Sequence, residues 1–182
     1  QLTGLCISGC KALKTVNGLP SVTSLIGTFY GCSSLTTSPT IPSTVTNLTS
    51  TFEHSGLTKM PTIPSSVTNM TKTFMGCTKL ITATALPTNL TNMSYIFSGC
   101  TSLATVPAIP SNVTNISYAF QNCTQLTITP TFGAKVSNMS YAFNGCKNLT
   151  TVKTLPTSVT NMRAAFSGCA KLATAPTIPV NV

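Results

Sequence analysis

Acidic residues are almost absent from this chain of 182 residues, in which Glu53 is the sole acid against nine lysines and Arg163. A catalytic pair of carboxylates is therefore excluded. Histidine is equally scarce, and His54 is the only one. With a single histidine and no C-x-x-C pair, the sequence does not indicate a zinc site. No run of 18 apolar residues is present, so the sequence predicts no membrane span.

A repeat of 22 or 23 residues dominates what is present. The same phenylalanine recurs at Phe29, Phe52, Phe74, Phe97, Phe120, Phe143 and Phe166, and a cysteine recurs every 23 residues from Cys77 to Cys169. A fixed period of this length is typical of a stacked solenoid, in which each repeat contacts only its neighbours.

Each repeat has two chemically different halves. In the first half, Val113, Ile116 and Phe120 have the spacing of one helix face. Asn115 is a suitable N-cap, and the glycine before each cysteine, such as Gly99, suits a left-handed residue ending a helix. This pattern predicts a short α-helix or 3₁₀-helix on one side of the coil. In the second half, prolines restrict a predicted parallel strand to three or four residues.

The chain divides into eight such coils without a linker. Their predicted bounds are 1–22, 23–45, 46–67, 68–90, 91–113, 114–136, 137–159 and 160–182. Stacking would bury like side chains in columns, and we expect a structural core ladder of Phe97, Cys100, Leu103, Phe120, Cys123, Leu126, Phe143, Cys146 and Leu149.

The string N-M-S-Y-A-F-N-G-C-K-N-L, residues 138–149, resembles the BspA-like leucine-rich repeats of bacterial surface proteins. The likeness extends over essentially the whole chain. It implies an α/β solenoid, a right-handed coil with short parallel strands on one face and short helices on the other. It also implies an extracellular, non-enzymatic binding or adhesion role without a cofactor.

The eight cysteines leave two alternatives open. Most occupy one repeated position between glycine and leucine, where a cysteine acts as a small buried hydrophobe. An even number in a secreted chain also permits disulfides, and Cys6 with Cys10 would be the first pair to consider. We expect buried free thiols.

Three further features have both a functional and a structural interpretation. Glu53 beside His54 could serve acid–base chemistry, but the adjacent one-residue deletion favours a variable turn. Tyr95, Tyr118 and Tyr141 could stack on sugars or shield the core. Asparagines in N-x-S/T triplets, nine in all, could accept glycans, although local capping explains most of them better.

A threonine column marks the predicted strand face and is the expected partner-binding surface: Thr37, Lys59, Thr82, Thr105, Thr151 and Thr174. Arrayed hydroxyls also occur on ice-binding solenoids, but Lys59 and Ile128 interrupt the array. The net charge of +9 permits attraction to anionic surfaces, while the scattered lysines do not indicate specific nucleic-acid binding.

These observations predict a binding or adhesion module of a cell-surface or secreted protein, with a host or matrix protein or glycan as its partner. The alternative is a structural assembly unit, such as a filament or phage-fibre segment. It would self-associate end to end through coils that carry no distinct polar cap.

Overall fold

The computed structural model describes residues 5–182 as a continuous stack of coils. Within this range no segment forms a helix, and single parallel bridges take the place of strands. The asparagine ladder joins Ser24, Asn47, Asn69, Asn92, Asn115, Asn138 and Asn161. The threonine ladder joins Lys59 to Thr82 and Thr82 to Thr105, and separately joins Ile128 to Thr151.

Equivalent positions of successive repeats lie one above the other, which confirms the predicted solenoid. The repeated phenylalanines, from Phe29 to Phe166, form one column with ring centroids 5.2–5.9 Å apart. All nine residues of the expected core ladder are buried. Burial of such a ring stabilises the fold by about 2 kcal/mol, so the column is a main source of stability.

The helix predicted for the first half of each repeat is wrong for residues 5–182. In the repeat around Phe120, the N–H groups of Ala119, Gln121 and Cys123 donate to carbonyls three residues earlier. The alternating N–H groups of Tyr118 and Phe120 donate instead to the next coil. In a helix, each N–H donates to a carbonyl of the same segment. Because alternate N–H groups here donate to the next coil, the segment forms a series of turns.

Left-handed residues reinforce these turns. Tyr118 has φ of 57° and Asn122, four residues later, also has φ of 57°. The glycines before the cysteines have the predicted left-handed backbone conformation, as Gly99 does with φ of 76°. They lie in turns, however, and do not end a helix. Asn115 accepts the N–H of Ser117 through Oδ1 at 2.9 Å, which is an Asx turn and not a helix cap.

The cysteine column lies inside the turns. The Cys100 Sγ–H donates to the carbonyl of Phe74 at 3.1 Å, and Cys123 donates to that of Phe97 at 3.2 Å. Ser55 takes the cysteine position in the shortened repeat and contacts Cys77 Sγ at 3.3 Å. All eight cysteines, including Cys6 and Cys10, are free thiols in the structure.

Burial raises the pKa of these column thiols. The pKa of Cys77 rises to about 11 and that of Cys146 to about 12, chiefly because burial disfavours the thiolate. The pKa values of Cys100 and Cys123 are also raised for this reason. A buried thiol of raised pKa is a poor nucleophile at neutral pH, which fits a packing role.

Candidate binding face

The strand face is the exposed column of side chains at the threonine-ladder position. Its members are Thr37, Lys59, Thr82, Thr105, Ile128, Thr151 and Thr174, and every one is exposed. All six residues predicted from the sequence are thus exposed, and Ile128 occupies the same repeat position between Thr105 and Thr151. Exposed threonine hydroxyls can both donate and accept hydrogen bonds to a partner.

Most of the positive charge belongs to the part of the repeat that contains the strand face. Seven of the ten cations lie between the cysteine position and the end of the strand segment: Lys11, Lys14, Lys59, Lys79, Lys147, Lys153 and Lys171. All seven are exposed. Glu53, the sole acid, precedes this segment, so no acidic side chain offsets these lysines there. This segment of the repeat therefore carries a net positive charge.

The threonine ladder is interrupted between Thr105 and Ile128, although bridges exist on both sides of the interruption. A cleft of about 270 Å³ occupies this place. It is lined by Ala104, Thr105, Val106, Thr127, Ile128, Thr129, Pro130 and Lys153. We call it the ladder cleft.

The sequence did not identify the ladder cleft, although it marked Ile128 as an interruption of the threonine array. Ile128, which lines the cleft, is 47% exposed, and Ile81, which lies outside it, is 52% exposed. The available signal was Ile128 in a threonine column and Lys153 in place of a repeated proline. Both departures are visible only once the repeats are aligned.

The family pattern of the BspA type leucine rich repeat region matches this chain in six copies, over residues 5–127 and 131–182. The chain belongs to this BspA-type family. Its members are repeat proteins that generally bind other proteins, and family members of this type are typically bacterial cell-surface proteins. Among curated proteins, none matches the chain.

Solved structures of leucine-rich repeat proteins are similar to this BspA-type chain. A leucine-rich repeat protein of T. pallidum is 29% identical with a TM-score of 0.70, over 88% of this chain and 75% of that one. One from Eubacterium ventriosum ATCC 27560 is 25% identical with a TM-score of 0.58, over 84% and 48%. One from Bacteroides ovatus ATCC 8483, 20% identical with a TM-score of 0.54 over 91% and 61%, supports the fold alone.

The Glu53–His54 pair of this BspA-type chain has a packing environment. His54 Nε2 lies 3.9 Å from Glu53 Oε1, and its ring meets Tyr30 edge-on with centroids 5.9 Å apart. Glu53 is buried within the turns. In residues 5–182 no group of three histidine, cysteine or acidic side chains is arranged to hold a metal ion. The geometry supports the variable-turn interpretation.

The tyrosine column stacks on itself. Ring centroids are 4.4 Å apart between Tyr95 and Tyr118 and 4.7 Å between Tyr118 and Tyr141, with rings nearly parallel. Lys72 Nζ lies 5.6 Å from the Tyr95 centroid, and the Arg163 guanidinium lies 5.9 Å from that of Tyr141. Because the ring faces contact each other and two cations, they offer no open platform for a sugar.

Most of the asparagine triplets lie in the asparagine ladder. Asn47, Asn69, Asn92, Asn115 and Asn138 each accept the N–H two residues later through Oδ1. These side chains hold turns and are only partly exposed.

No helix within the described range is long and apolar enough to cross a membrane.

Proposed function

We propose that this BspA-type chain is a non-enzymatic binding module of a cell-surface or secreted protein, with its partner bound across the strand face. The observation that carries the proposal is the asymmetric distribution of charge. Seven exposed lysines share the half of the repeat that presents Thr82 and Thr105, with no acid among them. Electrostatic attraction of this kind accelerates encounter and orients a partner.

The proposed partner is an extracellular protein or an acidic glycan. Side chains from successive coils form a continuous surface, because eight coils at about 4.8 Å per layer extend roughly 40 Å. A surface of that length suits an extended or convex partner, as in solenoids generally. Threonine hydroxyls and the exposed Ile81 and Ile128 would provide contacts beyond charge.

Two variants of equal net charge test the choice of face. The strand-face variant replaces Lys59, Lys79 and Lys147 with glutamine, and the control variant replaces Lys72, Lys135 and Arg163 with glutamine. Binding to immobilised fibronectin, collagen and sulfated glycans is measured by biolayer interferometry. We expect the strand-face variant to lose affinity and the control to retain it. Equal loss in both, or no binding by the unsubstituted protein, would reject the proposal.

A second candidate is end-to-end assembly through the last described coil. The N–H groups of Ala164, Phe166 and Gly168 have no hydrogen-bond partner among residues 5–182, whereas their equivalents Tyr141 and Phe143 donate to the following coil. A further repeat or a second copy could supply the missing carbonyls. Light scattering of the 182-residue protein across concentrations separates these cases, since only self-association gives a rising mass.

A further inference from the structure

Two hydrogen bonds that join neighbouring coils elsewhere are missing across the ladder cleft. In adjoining repeats, Ala83 N–H donates to Thr105 and Ala104 N–H donates to Ile81. The equivalent groups are Val106 N–H and Thr127 N–H, and neither has a partner among the described residues. Their usual acceptors, the carbonyls of Ile128 and Ala104, are also without one. Donors and acceptors therefore remain available at the space between these two coils.

The repeat that follows the cleft departs from the common pattern. Thr129 stands where most repeats place an apolar residue, such as Ala83 or Val106, and its Oγ1 accepts the N–H of Lys153 at 2.9 Å. Phe132 is turned against Phe143, edge to face at 6.0 Å. Gly133 replaces a proline and lies close beneath Pro110, since an added Cβ would be 2.3 Å from that carbonyl oxygen. These contacts pack residues 129–133 tightly against neighbouring coils, whereas the threonine ladder lacks its bridge between Thr105 and Ile128.

Lys153 gives the cleft its charge. Its main-chain N–H donates to Thr129 Oγ1. Its exposed Nζ donates to Thr131 Oγ1 at 3.1 Å. The lining around it is apolar at Val106, Ile128 and Pro130. The cleft thus combines one ammonium, two main-chain N–H donors and an apolar wall, which is a suitable environment for a carboxylate attached to an apolar segment.

We propose that the ladder cleft receives an acidic side chain from an extended segment of a partner protein, whose neighbouring apolar side chain packs on Ile128. This inference rests on the proposed function and names the anchor point on the strand face. The volume of about 270 Å³ accommodates one or two side chains, not a folded domain. Charge complementarity favours glutamate or aspartate, because Lys153 is the one charged side chain in the lining and no acid accompanies it.

The test uses a blocked pentapeptide of alternating leucine and glutamate, with its glutamine twin as the neutral control probe. Each is titrated into the ¹⁵N-labelled protein while the amide shifts of Val106, Thr127 and Thr129 are followed. We expect saturable shifts with the acidic peptide only. Lys153→Gln should weaken binding about tenfold, because a hydrogen bond to a charged group is lost. Lys147→Gln, the charge-matched control, should change it less than about twofold.

Several results would overturn the proposal. Equal weakening by Lys153→Gln and Lys147→Gln would indicate diffuse attraction without an anchor. Tighter binding of a heparin-derived hexasaccharide at the same amides would make an acidic glycan the occupant. Hydrogen exchange tests the premise independently, since Val106 should exchange faster than Ala83. If it does not, the two coils are joined there and the cleft is closed.

Failure of the cleft proposal can be distinguished from failure of the proposed function. If Lys153→Gln leaves matrix-protein binding intact while the strand-face variant abolishes it, the cleft is rejected and the face stands. If the acidic peptide binds at the cleft but neither the protein nor its variants bind any matrix component, the adhesion role is rejected and the cleft stands.

Discussion

The imidazole of His54 occupies the space that a side chain at Gly76 would need. A Cβ added at Gly76 would lie 2.2 Å from His54 Nδ1, whereas one added at Gly99 would lie 3.6 Å from its nearest neighbour, Gly76 Cα. Asn122 and Gly145 repeat the relationship, with 2.2 Å between the added Cβ and Asn122 Oδ1. A bulky residue in one coil is thus matched by glycine in the next.

Gly76→Ala should therefore destabilise the protein more than Gly99→Ala. Both replacements place alanine at a positive φ, which costs about 1–2 kcal/mol, but only the first displaces an imidazole. In a His54→Gly background the difference between the two should disappear. Urea titration of the four variants measures this coupling, and equal costs in both backgrounds would contradict it.

Truncation of the phenylalanine column should cost more in the middle than in the last coil. Phe97→Ala should lower the free energy of unfolding by about 3–5 kcal/mol, because Phe97 is fully buried between two rings. Phe166 is only partly buried, so Phe166→Ala should cost less. Chemical denaturation followed by circular dichroism tests the order, and a reversed order would argue against the described stack.

The cysteine column should make the protein less stable in alkali. The pKa of Cys146 rises from an ordinary value of 9.0 to about 12, so thiolate formation is favoured in the unfolded chain. The free energy of unfolding should consequently fall as pH rises from 9.0 towards 12, by at most ~1.4 kcal/mol per pH unit for each such thiol. Below pH 9 the contribution is fully present.

Cys146→Ser provides the control for this pH dependence, since Ser55 already fills the equivalent position in another repeat. The variant should show a shallower decline in stability above pH 9, measured by urea unfolding at several pH values. An unchanged slope would show that the Cys146 thiol does not titrate differently on unfolding.

Left-handed positions offer a route to a more stable variant. Ser50 has φ of 52° in the same repeat position as Gly27, which has φ of 61°. Ser50→Gly removes the strain of a side chain there and should stabilise the protein by about 0.5 kcal/mol after the entropy of glycine is counted. Tyr118→Gly relieves the same strain but loses two ring contacts of about 0.5–1.5 kcal/mol each, so it should destabilise. Differential scanning calorimetry distinguishes the two directions.

The period of the sequence was sufficient to predict the solenoid, because like side chains can be buried only if each repeat makes one turn of the coil. The helix prediction failed for a physical reason. Val113, Ile116 and Phe120 have helical spacing, yet the partner of the Tyr118 N–H is the carbonyl of Ser140 in the next repeat. A hydrogen bond between coils leaves no trace in the pattern of one repeat. The ladder cleft was missed likewise, since it arises from bonds that two coils fail to form.

The shortened repeat shows how length can vary in this molecule. Gly56 stands where other repeats have two residues, and an added Cβ would be 2.3 Å from the carbonyl oxygen of Ser33, so the chain is drawn inward there. Apart from this shortening and the ladder cleft, successive layers meet through equivalent positions, as the repeated bridges of the asparagine ladder show. Recombination that duplicates or removes a complete unit would recreate the same junction, so genes of this kind can change the reach of their product in steps of one layer.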